Sequence, residues 1–186
     1  KSALAGVMLE FKKWSSCVNP KYFTYEGMKK EIAEWGCARA PQVLIFDESS
    51  RIKTWSAQRT VAAFELAQGV RSDWGNKGYI VAMSGSPAPK SPIDWWSQCE
   101  VLQPGYLRES NPKKFSYRLG LWESMENAAG MKFPKLITWY DNENKCKICG
   151  KLKLDFKHMI NDCVFVPSEN EIAKLYRRMN GLVHVK

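Results

Sequence analysis

The run Val43-Leu44-Ile45-Phe46, closed by Asp47-Glu48, constrains the fold more than any other stretch of the 186-residue chain. Four consecutive apolar residues, led by branched Val43, Leu44 and Ile45, read as a strand buried on both faces, as in a parallel sheet. Two adjacent carboxylates then fall at its C-terminal end, where open α/β sheets bind their ligands. A second apolar strand, Tyr79-Ile80-Val81-Ala82-Met83, runs straight into Ser84-Gly85-Ser86-Pro87. Between the two, Ala63, Leu66, Ala67 and Val70 mark one face of a helix. This alternation predicts an α/β fold, a parallel sheet flanked by helices on both faces.

The remaining chain adds elements around that unit. Leu4, Val7, Met8 and Phe11 fall at i, i+3, i+4 and i+7, so the sequence opens on a helix; opening in mid-helix without an initiator Met suggests that upstream sequence is missing. Lys21 to Thr24 is a short strand candidate, followed by a helix using Met28, Ile32 and Trp35 and stopped by Gly36. Pro92 suits the first turn of a helix holding Trp95 and Trp96. Pro104 to Trp122 reads as basic and irregular, and Gly130 to Asn144 has no strong period. Ser168-Glu169-Asn170-Glu171 is a capping box for a last helix striped by Ile172, Leu175, Tyr176 and Met179. Gly181 ends it, and Leu182 to Val185 reads as a final strand.

Charge narrows the partner class. Lys and Arg exceed Asp and Glu by nine, a balance that favours a polyanion, nucleic acid before membrane. No apolar run approaches the roughly 20 residues that cross a bilayer, and no signal peptide is visible. Six Cys without a secretory start suggest a reducing compartment, with thiols and a metal.

The acidic strand has the layout of the Walker B strand of nucleotide hydrolases. Asp47-Glu48-Ser49-Ser50-Arg51-Ile52-Lys53 resembles the Asp-Glu-x-x-x-x-Lys signature of Swi/Snf-type members of helicase superfamily 2. Ser84-Gly85-Ser86-Pro87 resembles motif III of the same family, usually Ser/Thr-Gly-Thr-Pro, with Ser86 keeping the hydroxyl. Thr24-Tyr25-Glu26 resembles the Asn/Thr-Tyr-Glu element that precedes Walker B there. The stretch from Pro87 to Gln98 is similar to the segment after motif III, and Arg177 to Lys186 resembles the place where the first lobe ends. Residues 22–107 thus look like the back half of a first RecA-like lobe, particularly of phage-type versions.

The resemblance implies a part of an ATP-dependent DNA helicase or translocase, an ATP hydrolase moving on double-stranded DNA, in the cytoplasm of a bacterium or phage-infected host cell. It implies that Asp47 holds Mg²⁺ and that Glu48 acts as the base or water-orienting group. It implies that Ser84, Gly85, Ser86 and Pro87 bond across to the acidic strand and couple ATP state to DNA grip. Lys53 and Lys90 would touch DNA phosphates, although either can equally be a solvated surface lysine. The departures matter as much. No Gly-x-x-x-x-Gly-Lys-Ser/Thr occurs, so the phosphate-cradling motif I is absent, and nothing matches the second lobe with its arginine finger. The expectation is a fragment of a longer enzyme, inactive by itself: a partial lobe over 1–140, an insertion over 141–166, and the lobe's last helix and strand over 167–186.

The insertion carries its own signal. Cys146-Lys147-Ile148-Cys149-Gly150 is a Cys-x₂-Cys-Gly knuckle, half of a structural zinc site. His158 and Cys163 can complete a tetrahedral Zn²⁺ site, with free thiols in a basic loop as the alternative. Cys17, Cys37 and Cys99 read as buried or free thiols, and His184 as a packed residue. Two further readings stay open. One is a non-catalytic, zinc-stapled nucleic-acid-binding module that kept the lobe and lost the motor. The other is an RNA helicase, although those carry Asp-Glu-Ala-Asp and Ser-Ala-Thr.

Overall fold

Leu44 and Phe46 point to one side of their strand and Val43 and Ile45 to the other, because side chains alternate along β structure. That parity organises the molecule. In the computed structural model, which describes residues 2–14, 20–35, 39–140 and 171–182, the order is α1 (Ser2–Trp14), α2 (Met28–Trp35), β1 (Val43–Asp47), α3 (Gln58–Trp74) and β2 (Tyr79–Met83). Then come α4 (Asp94–Leu102), α5 (Pro112–Leu119), β3 (Gly120–Glu126), β4 (Lys132–Trp139) and α6 (Glu171–Met179). Two short 3₁₀ turns, Ser49–Ile52 and Gly75–Lys77, follow β1 and α3. The protein is mixed α/β, with two two-stranded sheets among the described residues.

β1 and β2 pair in parallel, Val43 opposite Tyr79 through to Asp47 opposite Met83, with α3 as the crossover. The first core lies on the Leu44 side. Leu44 and Phe46 pack there with Met28 of α2, with Ala62, Ala63, Leu66, Ala67 and Val70 of α3, and with Val101 of α4. Each large apolar side chain so buried contributes about 1.5–3 kcal/mol.

The opposite side departs from expectation. Val43, Ile45, Tyr79, Val81 and Met83 are all exposed, Ile45 by 51% and Tyr79 by 60%. Among the described residues the strand is therefore buried on one face, and the sheet is helix-covered on that face only. The reason is layering: α2, α3 and α4 share the Leu44 side. Lys21 to Thr24 also forms no strand.

A second core joins Trp95, Trp96 and Cys99 of α4 to Leu107, to Phe115 and Leu119 of α5, and to Leu175 and Met179 of α6. The stripe expected on the last helix is present, although Tyr176 is 49% exposed. Arg118 of α5 forms ion pairs with Glu109 and Glu171, and Arg178 of α6 donates to the Leu107 carbonyl at 2.7 Å. These bonds fasten α5 to α6.

The region read as irregular contains α5 and an antiparallel hairpin, β3 with β4. α5 starts where Asn111 Oδ1 accepts from the Lys114 amide at 2.8 Å and Pro112 takes the first helical position. At the hairpin turn, Asn127 Oδ1 accepts from the amides of Ala129 and Met131, and Gly130 takes φ +75°, a conformation that favours glycine. No helix among the described residues is long and apolar enough to cross a membrane.

Candidate functional site

Parallel pairing in register ends β1 and β2 at the same level, so residue 48 emerges beside residue 84. Glu48 takes φ 57° and ψ 58°, the left-handed region that a branched or long side chain rarely occupies. Holding a non-glycine residue there costs about 1–3 kcal/mol, which the surroundings must offset. The turn aims the carboxylate across the strand ends. Its Oε1 accepts from Ser84 Oγ at 2.6 Å and from Ser50 Oγ at 2.7 Å. Oε2 has no donor among the described residues.

Those hydroxyls set the acid's electrostatics. The bond from Ser84, then the bond from Ser50, holds the Glu48 carboxyl below its usual pKa, because both favour the charged form. Glu48 is thus an ionised acceptor at neutral pH and a weak proton acceptor, which suits orienting a water more than deprotonating it. Asp47 stands exposed at the strand terminus, on the open face. Its carboxylate is a hard oxygen donor of the kind that Mg²⁺ prefers.

Tyr25 braces the acidic pair from behind. Its hydroxyl donates to the Asp47 carbonyl at 2.7 Å, and its ring stacks on Phe46 with centroids 6.4 Å apart. Burial, then the negative charges of Asp47 and Glu48, pushes the phenol pKa well above its ordinary value, so it stays a donor.

The other expected residues divide. Ser84 bonds the acid directly; Ser86 is exposed and reaches it only through its amide, which donates to Ser84 Oγ at 3.2 Å. Gly85 has nothing within 4 Å of where a Cβ would stand, so this turn is open. Pro87 offers its carbonyl to Gln98 Nε2 at 2.6 Å. Lys53 Nζ lies 3.3 Å from Asp94 Oδ2, and Lys90 is exposed. Cys146, Cys149, His158 and Cys163 lie outside the described residues, as do Cys17, Cys37 and His184. Cys99 is a buried free thiol, and burial pushes its pKa up to about 12.

Sequence reasoning assigned Gln98 and Asp94 no role, yet both sit beside the acidic pair's loop. Ser49 Oγ, one residue past Glu48, donates to Gln98 Oε1 at 2.7 Å in a buried bond. The two residues are far apart in sequence, and no local pattern announces that contact.

Compared with protein families, curated proteins and solved structures, the chain matches none. The site's own geometry is what bears on function.

Proposed function

We propose that this chain is part of an ATP-dependent DNA translocase of the Swi/Snf type, contributing the Walker B and motif III portion of a RecA-like lobe. The observation that carries the reading is the bond from Ser84 to Glu48. The two motifs recognised separately in the sequence end adjacent parallel strands, and their residues meet at 2.6 Å. In this reading Asp47 would hold Mg²⁺, which would neutralise charge on the ATP phosphates while ATP supplied the phosphoryl group that water attacks. Glu48 orients that water through Oε2, while Ser84 and Ser50 keep Oε1 occupied and the carboxylate ionised. Ser84 reports the state of the acid to the loop carrying Gly85, Ser86 and Pro87.

The net basic charge fits a polyanionic track, gripped through phosphates without sequence readout. Lys53 gives its ammonium to Asp94, so the phosphate contact falls mainly to Lys90. The exposed Val43, Ile45 and Val81 face would be covered by polypeptide of the same lobe, since parallel sheets are covered on both faces. Motif I and the second lobe would lie outside these 186 residues. Residues 141–166 would form a zinc-stapled insertion through Cys146, Cys149, His158 and Cys163.

The absence of motif I from these residues favours one competitor, a nucleic-acid-binding module without turnover. ATP hydrolysis by the full-length protein, measured with duplex DNA, single-stranded DNA and RNA, separates the two. The motor gives strong stimulation by duplex DNA; binding to all three without turnover supports the module.

A further inference from the structure

The first two turns of α4 touch both loops that leave the parallel strands. Gln98 is 2% exposed. Its Oε1 accepts from Ser49 Oγ at 2.7 Å, and its Nε2 donates to the carbonyls of Pro87 at 2.6 Å and Asp94 at 2.8 Å. One turn earlier, Asp94 Oδ2 accepts from Lys53 Nζ and from the Lys90 amide, each at 3.3 Å. Ser49 and Lys53 follow the acidic pair; Pro87 and Lys90 follow Ser84-Gly85-Ser86. Two side chains four residues apart on one helix therefore bridge the same two loops twice.

A buried primary amide is costly unless its polar atoms are paired. Gln98 uses both N–H groups and its oxygen, and the partners come from three separate segments. Such an amide fits only one relative placement of Ser49 and Pro87. α4 also links the two cores, since Val101 belongs to the first and Trp95, Trp96 and Cys99 to the second.

We propose that Gln98, assisted by Asp94, is a positioning residue that clasps the loop after the acidic pair to the loop after Ser84-Gly85-Ser86-Pro87. The clasp forces those loops to move together and passes their movement along α4 into the second core. The claim that this movement couples DNA binding to ATP turnover rests on the proposed motor function; the clasp itself does not.

The test uses the full-length protein with Ser49→Ala, which removes one arm of the clasp and leaves Gln98 bonded to Pro87 and Asp94. Gln98→Met removes both arms. Hydrogen exchange of the segment 86–93 reads the clasp without reference to activity. Ser49→Ala is expected to speed exchange there, although that segment lies more than 35 residues away in sequence. Steady-state kinetics read the coupling: the KM for ATP stays within about twofold, while stimulation by duplex DNA falls about tenfold, inside the usual range for coupled sites. If Gln98→Met folds, adding Ser49→Ala to it changes stimulation no further, because both act through one contact.

Unchanged exchange in 86–93 overturns the clasp, whatever the kinetics. Faster exchange with undiminished stimulation overturns the coupling and leaves a structural tie. A wild-type protein that shows no DNA-stimulated turnover refutes the motor reading and the coupling with it, while exchange still decides the clasp.

Discussion

Leu44 and Ile45 are neighbours in β1 and differ little in size, yet the fold gives them opposite fates. Leu44 is 3% exposed, among Met28, Leu66 and Val70; Ile45 is 51% exposed. Leu44→Ala removes three carbons from a closed environment and should cost about 2–5 kcal/mol, transfer plus residual cavity. Ile45→Thr keeps the β-branch on an open face and should stay within about 0.5 kcal/mol, as surface changes usually do. The assay is urea unfolding of the 186-residue chain followed by tryptophan fluorescence, comparing midpoints at constant slope. Equal costs for the two substitutions would refute the one-sided burial described for β1. The same pair probes the proposed lobe. In the full-length protein, a layer covering the open face should raise the cost of Ile45→Thr toward that of a core change, while Leu44→Ala is unaltered.

Three other outcomes follow from the site. Tyr25→Phe deletes one hydroxyl and keeps the ring on Phe46, so thermal unfolding should show a loss of about 0.5–1.5 kcal/mol, one hydrogen bond; a neutral result would mean that water replaces the bond to Asp47 without loss. Ser84→Ala removes the main cause of the lowered Glu48 pKa. With the folded pKa depressed, the ionised form persists below the ordinary glutamate range and is lost only as pH falls through that lowered value. The acid limb of the ATPase pH profile should therefore move to higher pH in Ser84→Ala, and an unmoved limb would argue that Glu48 does not govern it. Metal analysis of the purified protein should find one zinc per chain, lost in Cys146→Ser; none in the wild type would remove the zinc insertion.

Much of the scaffold was legible because its signals are local. The runs at Val43 and Tyr79 and the spacing of Ala63, Leu66, Ala67 and Val70 need no tertiary information, and the two strands and the helix lie where they were expected. The start of α5 carries a local signal in Asn111-Pro112, but the stretch was read as irregular because its basic residues set no apolar period. The β3–β4 hairpin was not. After Trp122 its first strand reads Glu-Ser-Met-Glu, all exposed, and Pro134 interrupts its partner, so no alternation of apolar and polar residues marks it. Whether a strand is covered on one face or two depends on layers that its own sequence does not encode, hence the error over Val43 and Ile45. The site divides in the same way. Glu48 and Ser84 are found by motif; Tyr25, Asp94 and Gln98 act through contacts 22 to 49 residues distant, which only the fold creates.

In the proposed motor, the Glu48 carboxylate at the end of the parallel strands takes part in ATP turnover. A single-turnover experiment on the full-length protein with duplex DNA tests it most directly, comparing wild type with Glu48→Gln and reading ATP binding and phosphate release separately. Glu48→Gln is expected to bind ATP still and to release phosphate about 10² times more slowly, the size of effect that follows from losing the group that positions the attacking water. Phosphate release by the Glu48→Gln protein at the wild-type rate would contradict it.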